Sequence, residues 1–302
     1  MKQKQSERLG TVGGQAVLDG VMMKAAGRYA VSVRLADGSI HTEAFPFHPL
    51  SERCRLLALP LVRGCVNFFQ MLALGQTVLT LSADAAAAPE ERNKEPKTCG
   101  FLISAATWVF AAAISVGLFM FLPALLIKIA QQWMPLETVW LRNIAEGLIR
   151  CVILLGYLWL VSLVPDMRRT FEYHGAEHKT VACYEAGEPL TPENAMKFTR
   201  FHPRCGTSFL FVMILIGILF YSLPFFTWDS VWERVLTKLV FFPVIAGIGY
   251  EVIRFSGRHP ENRLMRILTM PGLWLQRITT REPSAQQLAV AIEAVQGALS
   301  TI

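Results

Sequence analysis

At 302 residues the chain is long enough for about two soluble domains, yet 53% of it is hydrophobic and only 17% is charged. With a positive mean hydropathy, this weighs against a soluble enzyme and points to a polytopic membrane protein whose surroundings are the lipid bilayer. The formal net charge of +6 comes from Arg and Lys near the ends of apolar segments, where cytoplasmic flanks and acidic headgroups select them. No basic run is interleaved with aromatics, so no nucleic-acid partner is expected.

Met1 to Gly10 is polar with no apolar core, so no signal peptide is expected and the first crossing segment acts as an uncleaved insertion signal. Residues 1–60 read as a small cytoplasmic Gly-rich β element. Val31, Val33 and Leu35 alternate before the hairpin signal Asp37-Gly38, and Ile40 to Phe45 is the return strand. Gly13-Gly14 and Gly20 bracket short apolar stretches; for Gly13 and Gly14, tight turns in a small sheet are favoured over a close approach to a ligand, because no strand and helix complete a phosphate-binding fingerprint.

Residues 61–100 read as an amphipathic helix followed by a linker-like stretch from Ala85 to Lys97. Gly64 to Ala83 is uncharged, but Arg63, Asn67, Gln70 and Thr77 make a polar stripe at helical spacing, which favours a helix that does not cross.

Residues 101–254 are expected to hold four transmembrane helices, at Phe101–Ile127, Ile144–Val164, Cys205–Trp228 and Val235–Arg254. Glu146, Arg150, Lys238 and Glu251 lie near span ends and are expected to snorkel, with Glu251 pairing with Arg254. The N-terminal region, the loop from Pro165 to Arg204 and the tail from Arg254 are rich in Lys and Arg. Gln131–Trp140 and Thr227–Glu233 have no basic residue, so both termini and the motif loop at 165–206 face the cytoplasm. The expected location is the inner (plasma) membrane of a bacterium. Six cysteines without a C-x-x-C pair do not suggest disulfides in that compartment.

The chemistry concentrates in the loop between the second and third spans. In His174-Gly175-Ala176-Glu177-His178 a helix places both imidazoles and the carboxylate on one face. The pattern is H-x-x-E-H, in which two histidines bind a divalent metal, zinc being the expected ion, and Glu177 is the base. Glu172 and Glu185 lie in the same loop. His202-Pro203-Arg204-Cys205-Gly206-Thr207 is the second cluster: Cys205 sits where a helix N-terminus and Arg204 favour thiolate, as a metal ligand or a nucleophile. Against this stand a solvated or hydrogen-bonded histidine face on a helix that Gly175 weakens, and an entry turn shaped by Pro203 and Gly206 and capped by Thr207 or Ser208. The candidate site is therefore His174, His178, His202 and Cys205 for metal, with Glu177 and Cys205 catalytic. The tail, 255–302, ends in an amphipathic helix with a capping box at Ser284–Gln287 and an apolar stripe of Leu288, Ile292, Val295 and Leu299.

Gly13-Gly14-Gln15-Ala16-Val17-Leu18-Asp19-Gly20-Val21-Met22-Met23, Tyr173-His174-Gly175-Ala176-Glu177-His178-Lys179, His202 to Ser208, and Pro271-Gly272 with Thr279-Thr280-Arg281-Glu282-Pro283 resemble, in order, the bacterial YqhQ-like family, or domain of unknown function 1385. Asp19 stands where that family more usually has Glu. The resemblance implies a metal-dependent membrane enzyme without an assigned substrate.

The expected architecture is a mainly α-helical polytopic membrane protein with about four spans, a small N-terminal β element and a C-terminal amphipathic helix. Its leading function is metal-dependent hydrolysis of a membrane or membrane-proximal peptide or lipid-derived substrate. The alternatives are a hydrolase with Cys205 as nucleophile, and a non-enzymatic scaffold or assembly factor with a structural metal or none.

Overall fold

Four short strands form an antiparallel meander in chain order: β1 (Gly13–Val17), β2 (Gly20–Ala25), β3 (Arg28–Arg34) and β4 (Ile40–Pro46). The computed structural model describes residues 8–86, 97–134, 136, 138–223, 226, 228–259 and 262–300. Of the expected linker, residues 87–96 lie outside them. The helices are α1 (Val62–Ala86), α2 (Lys97–Val116), α3 (Leu122–Ala130), α4 (Val139–Val161), α5 (Pro165–Ala186), α6 (Pro192–Met196), α7 (Gly206–Tyr221), α8 (Val231–Arg258), α9 (Arg263–Thr279) and α10 (Ala285–Leu299).

Strands β2 and β3 are buried on both faces, whereas the edge strand β4 is largely exposed. Alternation sends Val21, Met23 and Ala30 to one face, where Tyr173 and Ala176 of α5 and Leu288, Ala291 and Val295 of α10 cover them. Val17, Met22, Val31 and Val33 go to the other, against Leu74 and Val78 of α1. The sheet is thus the middle layer of a three-layer unit. The Asp37-Gly38 turn forms as its sequence predicts, with Gly38 at φ 86°. Ser284 and Gln287 make both halves of the capping box that starts α10.

Four helices are long and apolar enough to cross a membrane, at 62–85, 105–130, 139–161 and 231–258. Val109, Phe110, Val152, Leu236 and Val240 are more than half exposed on them, a surface suited to lipid. Trp133 just after α3, Trp140 and Trp232 at the starts of α4 and α8, and Trp159 near the other end of α4 are exposed, as interfacial tryptophans are. The chain is a mainly helical membrane protein with a small N-terminal sheet. α2 continues into α3 through a π-helical turn at Gly117–Phe121. That wider turn absorbs the missing N–H and the ring of Pro123.

The set of long apolar helices differs from the sequence expectation in two members. The segment expected to span Cys205–Trp228 forms a helix of 16 residues, about 24 Å at 1.5 Å per residue and short of the ~30 Å hydrocarbon core. The helix from Val62 is long and apolar enough to cross, but its two halves meet different neighbours. Phe68 packs on Phe209 and Phe242, whereas Leu74 and Val78 lie against the sheet.

Glu146 and Lys238, expected to snorkel, instead turn inward and are buried. An ion pair inside the bundle, with Arg234 and Arg150 added, replaces the interface as their counter-charge. Glu251 pairs not with Arg254 but with Arg63 across the α1–α8 contact, in a two-pronged bond of 2.7 and 2.5 Å. The guanidinium fork matches both carboxylate oxygens, which a side chain one turn away on the same helix does less well.

Candidate functional site

The pentad lies in the middle of α5, and it is buried. Pro165 starts this helix, and Gly187, at φ 79°, ends it in the left-handed conformation that glycine adopts without strain. Ala176 and Tyr173 face the β2–α10 core. The next positions around the helix, His174, Glu177 and His178, are thereby aimed at the start of α7 and the end of α9. The face is turned into the protein rather than to solvent: His178 is 2% exposed and Glu177 7%, while His174 is half-buried.

Gly175 is required here for its lack of a side chain. A Cβ on it would sit 1.9 Å from the carbonyl oxygen of Arg281. α5 and the strand-like segment after α9 therefore run in backbone contact, fixed by the Arg281 N–H donating to the Phe171 carbonyl at 2.8 Å. This contact brings the Thr279 carbonyl to 2.7 Å from Nδ1 of His174. A carbonyl only accepts, so Nδ1 carries a proton and Nε2 is left to face the site. That Nε2 lies 3.2 Å from Sγ of Cys205.

His178 repeats the arrangement. Its Nδ1 donates to the Arg200 carbonyl at 2.5 Å, and its side chain is hydrogen-bonded to Cys205. Burial pushes the His178 imidazole below its usual value, with the Cys205 contact and the Arg200 carbonyl working against it. Ligand atoms of His174, His178 and Cys205 all lie within 4.8 Å of one another. Two imidazoles with Nδ1–H tied to carbonyls and a thiol between them match how metal-binding histidines are oriented. The 3.2 Å separation of His174 and Cys205 is close to the ~3.5 Å edge of a tetrahedron built on zinc bond lengths.

Cys205, not Thr207 or Ser208, is the N-cap residue of α7. Its sulfur accepts from the Thr207 hydroxyl at 3.2 Å and from the Thr207 N–H at 3.5 Å. His202 stands beside the cluster, its ring 5.6 Å from that of His178. Its Nε2 turns to Glu185 at 3.7 Å, outside the three-residue group. Gln276 of α9 brackets the His202 backbone, accepting from its N–H and donating to its carbonyl, each at 2.8 Å.

Glu177 is pushed up to about 7 by burial, against the pull of His174 and the Gly14 N–H. A Cβ on Gly14 would meet the Met22 carbonyl at 2.6 Å and Cγ of Glu177 at 3.0 Å. Gly14 is therefore a point of close approach to the acid, not one of the tight turns expected from sequence. Burial works against ionisation of Glu185 too, but its bonds to His202 and the Gly10 N–H and the charge of Arg204 outweigh it and hold its carboxyl below the usual range.

Of the five residues singled out from sequence, three converge, Glu177 adjoins them from one side and His202 from another. The residues missed are the supports. Glu282 pairs with buried Lys179 at 2.9 Å and with Arg200 at 3.3 Å, which fixes the loop whose carbonyl meets His178. Lys179, directly after the pentad, carried the one readable signal, a cation on a helix face about to be buried. Backbone acceptors at Thr279 and Arg200 carry none.

Residues 59–301 match the family described as protein of unknown function, DUF1385. The chain is also similar to the uncharacterized protein YqhQ of Bacillus subtilis (strain 168), 34% identical over 289 residues, covering 93% of this chain and 90% of that protein. No solved structure matches.

Proposed function

Because this chain belongs to the DUF1385 family of proteins of unknown function, we propose its role from the site alone: a divalent-metal hydrolase of a membrane-associated peptide or lipid-derived bond. His174, His178 and Cys205 hold the ion, zinc by the softness of the donor set. The observation that carries this reading is the shared orientation of the two histidines, each with Nδ1 on a backbone carbonyl and its side chain hydrogen-bonded to Cys205. A divalent ion held by these three residues would supply Lewis acidity to a substrate carbonyl or phosphoryl oxygen.

Glu177 would take the proton of the attacking water and pass it to the leaving group; with no ion bound, burial pushes its carboxyl up to about 7. Gly14 holds this acid through its N–H. Gln276 and Glu185 position the turn on which Cys205 sits.

The outer side of α9 supports a substrate drawn from the bilayer. Leu264, Ile267 and Trp274 are each about 60% exposed on it, while Leu275, Gln276 and Thr279 on its inner side are buried against the site. A helix of this kind lies in the headgroup boundary. The basic flanks of the motif segment support placing it at the cytoplasmic face of the plasma membrane.

Elemental analysis of purified protein tests the reading. About one zinc per chain is expected in the wild type and little in the His174→Ala/His178→Ala variant. Equal, negligible metal in both removes the metal-hydrolase reading and shifts weight to a scaffold role. A second reading, with Cys205 as nucleophile activated by His174, draws on the Thr207 donors to its sulfur. Loss of turnover in Cys205→Ser with metal content unchanged would favour it.

A further inference from the structure

At the other end of α7 from Cys205, charged side chains are buried among apolar helices. Glu146 of α4 bonds Arg150 at 3.2 Å, one turn along the same helix. Its other oxygen accepts from Nη2 and Nε of Arg234 on α8 at 3.0 and 3.1 Å, and Lys238, one turn further along α8, pairs with it too. The side chains of Glu146, Arg234 and Lys238 are 2–3% exposed and that of Arg150 16%.

The surrounding polar groups are already committed. Asn143 accepts from Arg234 through Oδ1 and donates to the Tyr221 carbonyl at 2.8 Å. The Tyr221 hydroxyl donates to the Lys238 carbonyl at 3.2 Å, and Arg150 Nε donates to the Phe119 carbonyl at 2.9 Å. Among the described residues, all three cations converge on one carboxylate. The cluster therefore carries a formal excess of two positive charges, and a neutral Lys238 would still leave one. Carbonyls and amides solvate such charge but do not cancel it, and an uncompensated charge at membrane depth is strongly disfavoured.

A cavity of about 10 Å³ lies among Glu146, Arg150, Tyr221, Arg234 and Lys238. That is room for roughly one water-sized sphere. So small a space among cationic side chains suits a compact, single-atom anion. We propose that this cavity binds a single monatomic anion, chloride in the cell, which supplies the missing negative charge between the cationic side chains of α4 and α8. The site is independent of the His174–Cys205 cluster.

The test is equilibrium binding of radiolabelled chloride to the full-length protein in detergent, with gluconate as the background anion. The wild type is expected to bind about one chloride per chain, displaced by bromide. Lys238→Met removes a cation and should weaken binding at least tenfold. Glu146→Gln removes the competing carboxylate and should tighten it at least tenfold. Size-exclusion elution at the wild-type volume identifies folded variants. Absence of saturable chloride binding by the wild type overturns the proposal, as does binding that neither folded variant changes.

Discussion

Nε2 of His174 and Sγ of Cys205 stand 3.2 Å apart although 31 residues separate them in the chain. Neither helix alone makes this contact; it depends on the Thr279 carbonyl turning the imidazole and on Cys205 capping α7. Cys205→Ala is expected to lower zinc affinity by more than the ~10–100-fold typical of outer-shell changes, and His202→Ala by no more than that range. Competition with a chromophoric chelator measures both. A His202→Ala loss as large as that of Cys205→Ala would place His202 in the ligand set.

Gly175→Ala probes the backbone contact beneath the site. The added carbon would lie 1.9 Å from the Arg281 carbonyl oxygen, where a backbone atom cannot yield without moving the whole segment. The cost is expected at about 3 kcal/mol, the upper end for overpacking. The displaced segment carries the Thr279 carbonyl, so zinc affinity should fall as well. Thermal unfolding in detergent and the chelator assay read the two effects; a variant as stable as the wild type would mean that the contact is loose.

Much of this architecture is legible before any coordinates, and the reason differs by element. The β3–β4 hairpin, the capping box at Ser284 and the helix carrying the pentad are local, each specified by residues within a turn or two of one another. The burial of the pentad is not local, because it needs the sheet, α9 and α10 to close on α5. The same holds for Glu146 and Lys238: hydropathy marks them as misfits near span ends, but only α4 and α8 side by side show that they answer each other. The length of α7 is not legible in the sequence, because an apolar run fixes which residues avoid water, not where the helix stops.

Glu185 links stability to pH. Its carboxyl is held below the ordinary value of 4.5, with burial opposing and His202, the Gly10 N–H and Arg204 prevailing. A carboxyl with a depressed folded-state value stabilises the fold above its unfolded value and loses that contribution as pH falls through the folded one. Glu185→Gln should therefore cost on the order of 1–2 kcal/mol at pH 7 and progressively less below about pH 4. Unfolding midpoints of the two proteins from pH 7 to pH 3 check this; a gap that widens on acidification contradicts it.

Arg63 and Glu251 tie α1 to α8 through a bond with both side chains about one quarter exposed. A double-mutant cycle on Arg63→Ala and Glu251→Ala should give a coupling of about 1–3 kcal/mol. The corresponding cycle with Arg254→Ala should give less than ~0.5 kcal/mol. Reversal of the two values would restore the intrahelical pair expected from sequence.

Glu177 gives the sharpest separation of function from stability. Burial lifts its carboxyl from 4.5 to about 7, so the folded state binds the proton more tightly than the unfolded one. The sign is opposite to that of Glu185. The stabilising contribution is full below the unfolded value of 4.5 and is lost as pH rises through about 7. Metal-free wild type should thus lose about 3 kcal/mol between pH 4.5 and pH 8 from this group. Glu177→Gln carries no charge at any of these values and should be the more stable protein at pH 8, with the advantage gone at pH 4.5. An acid retained at a cost to stability is what a group that must give and take a proton requires. Thermal melts of chelator-treated protein at the two pH values decide it. A Gln variant less stable than the wild type at pH 8 would mean that the carboxylate is satisfied by its neighbours, and the base assignment would fall with that result.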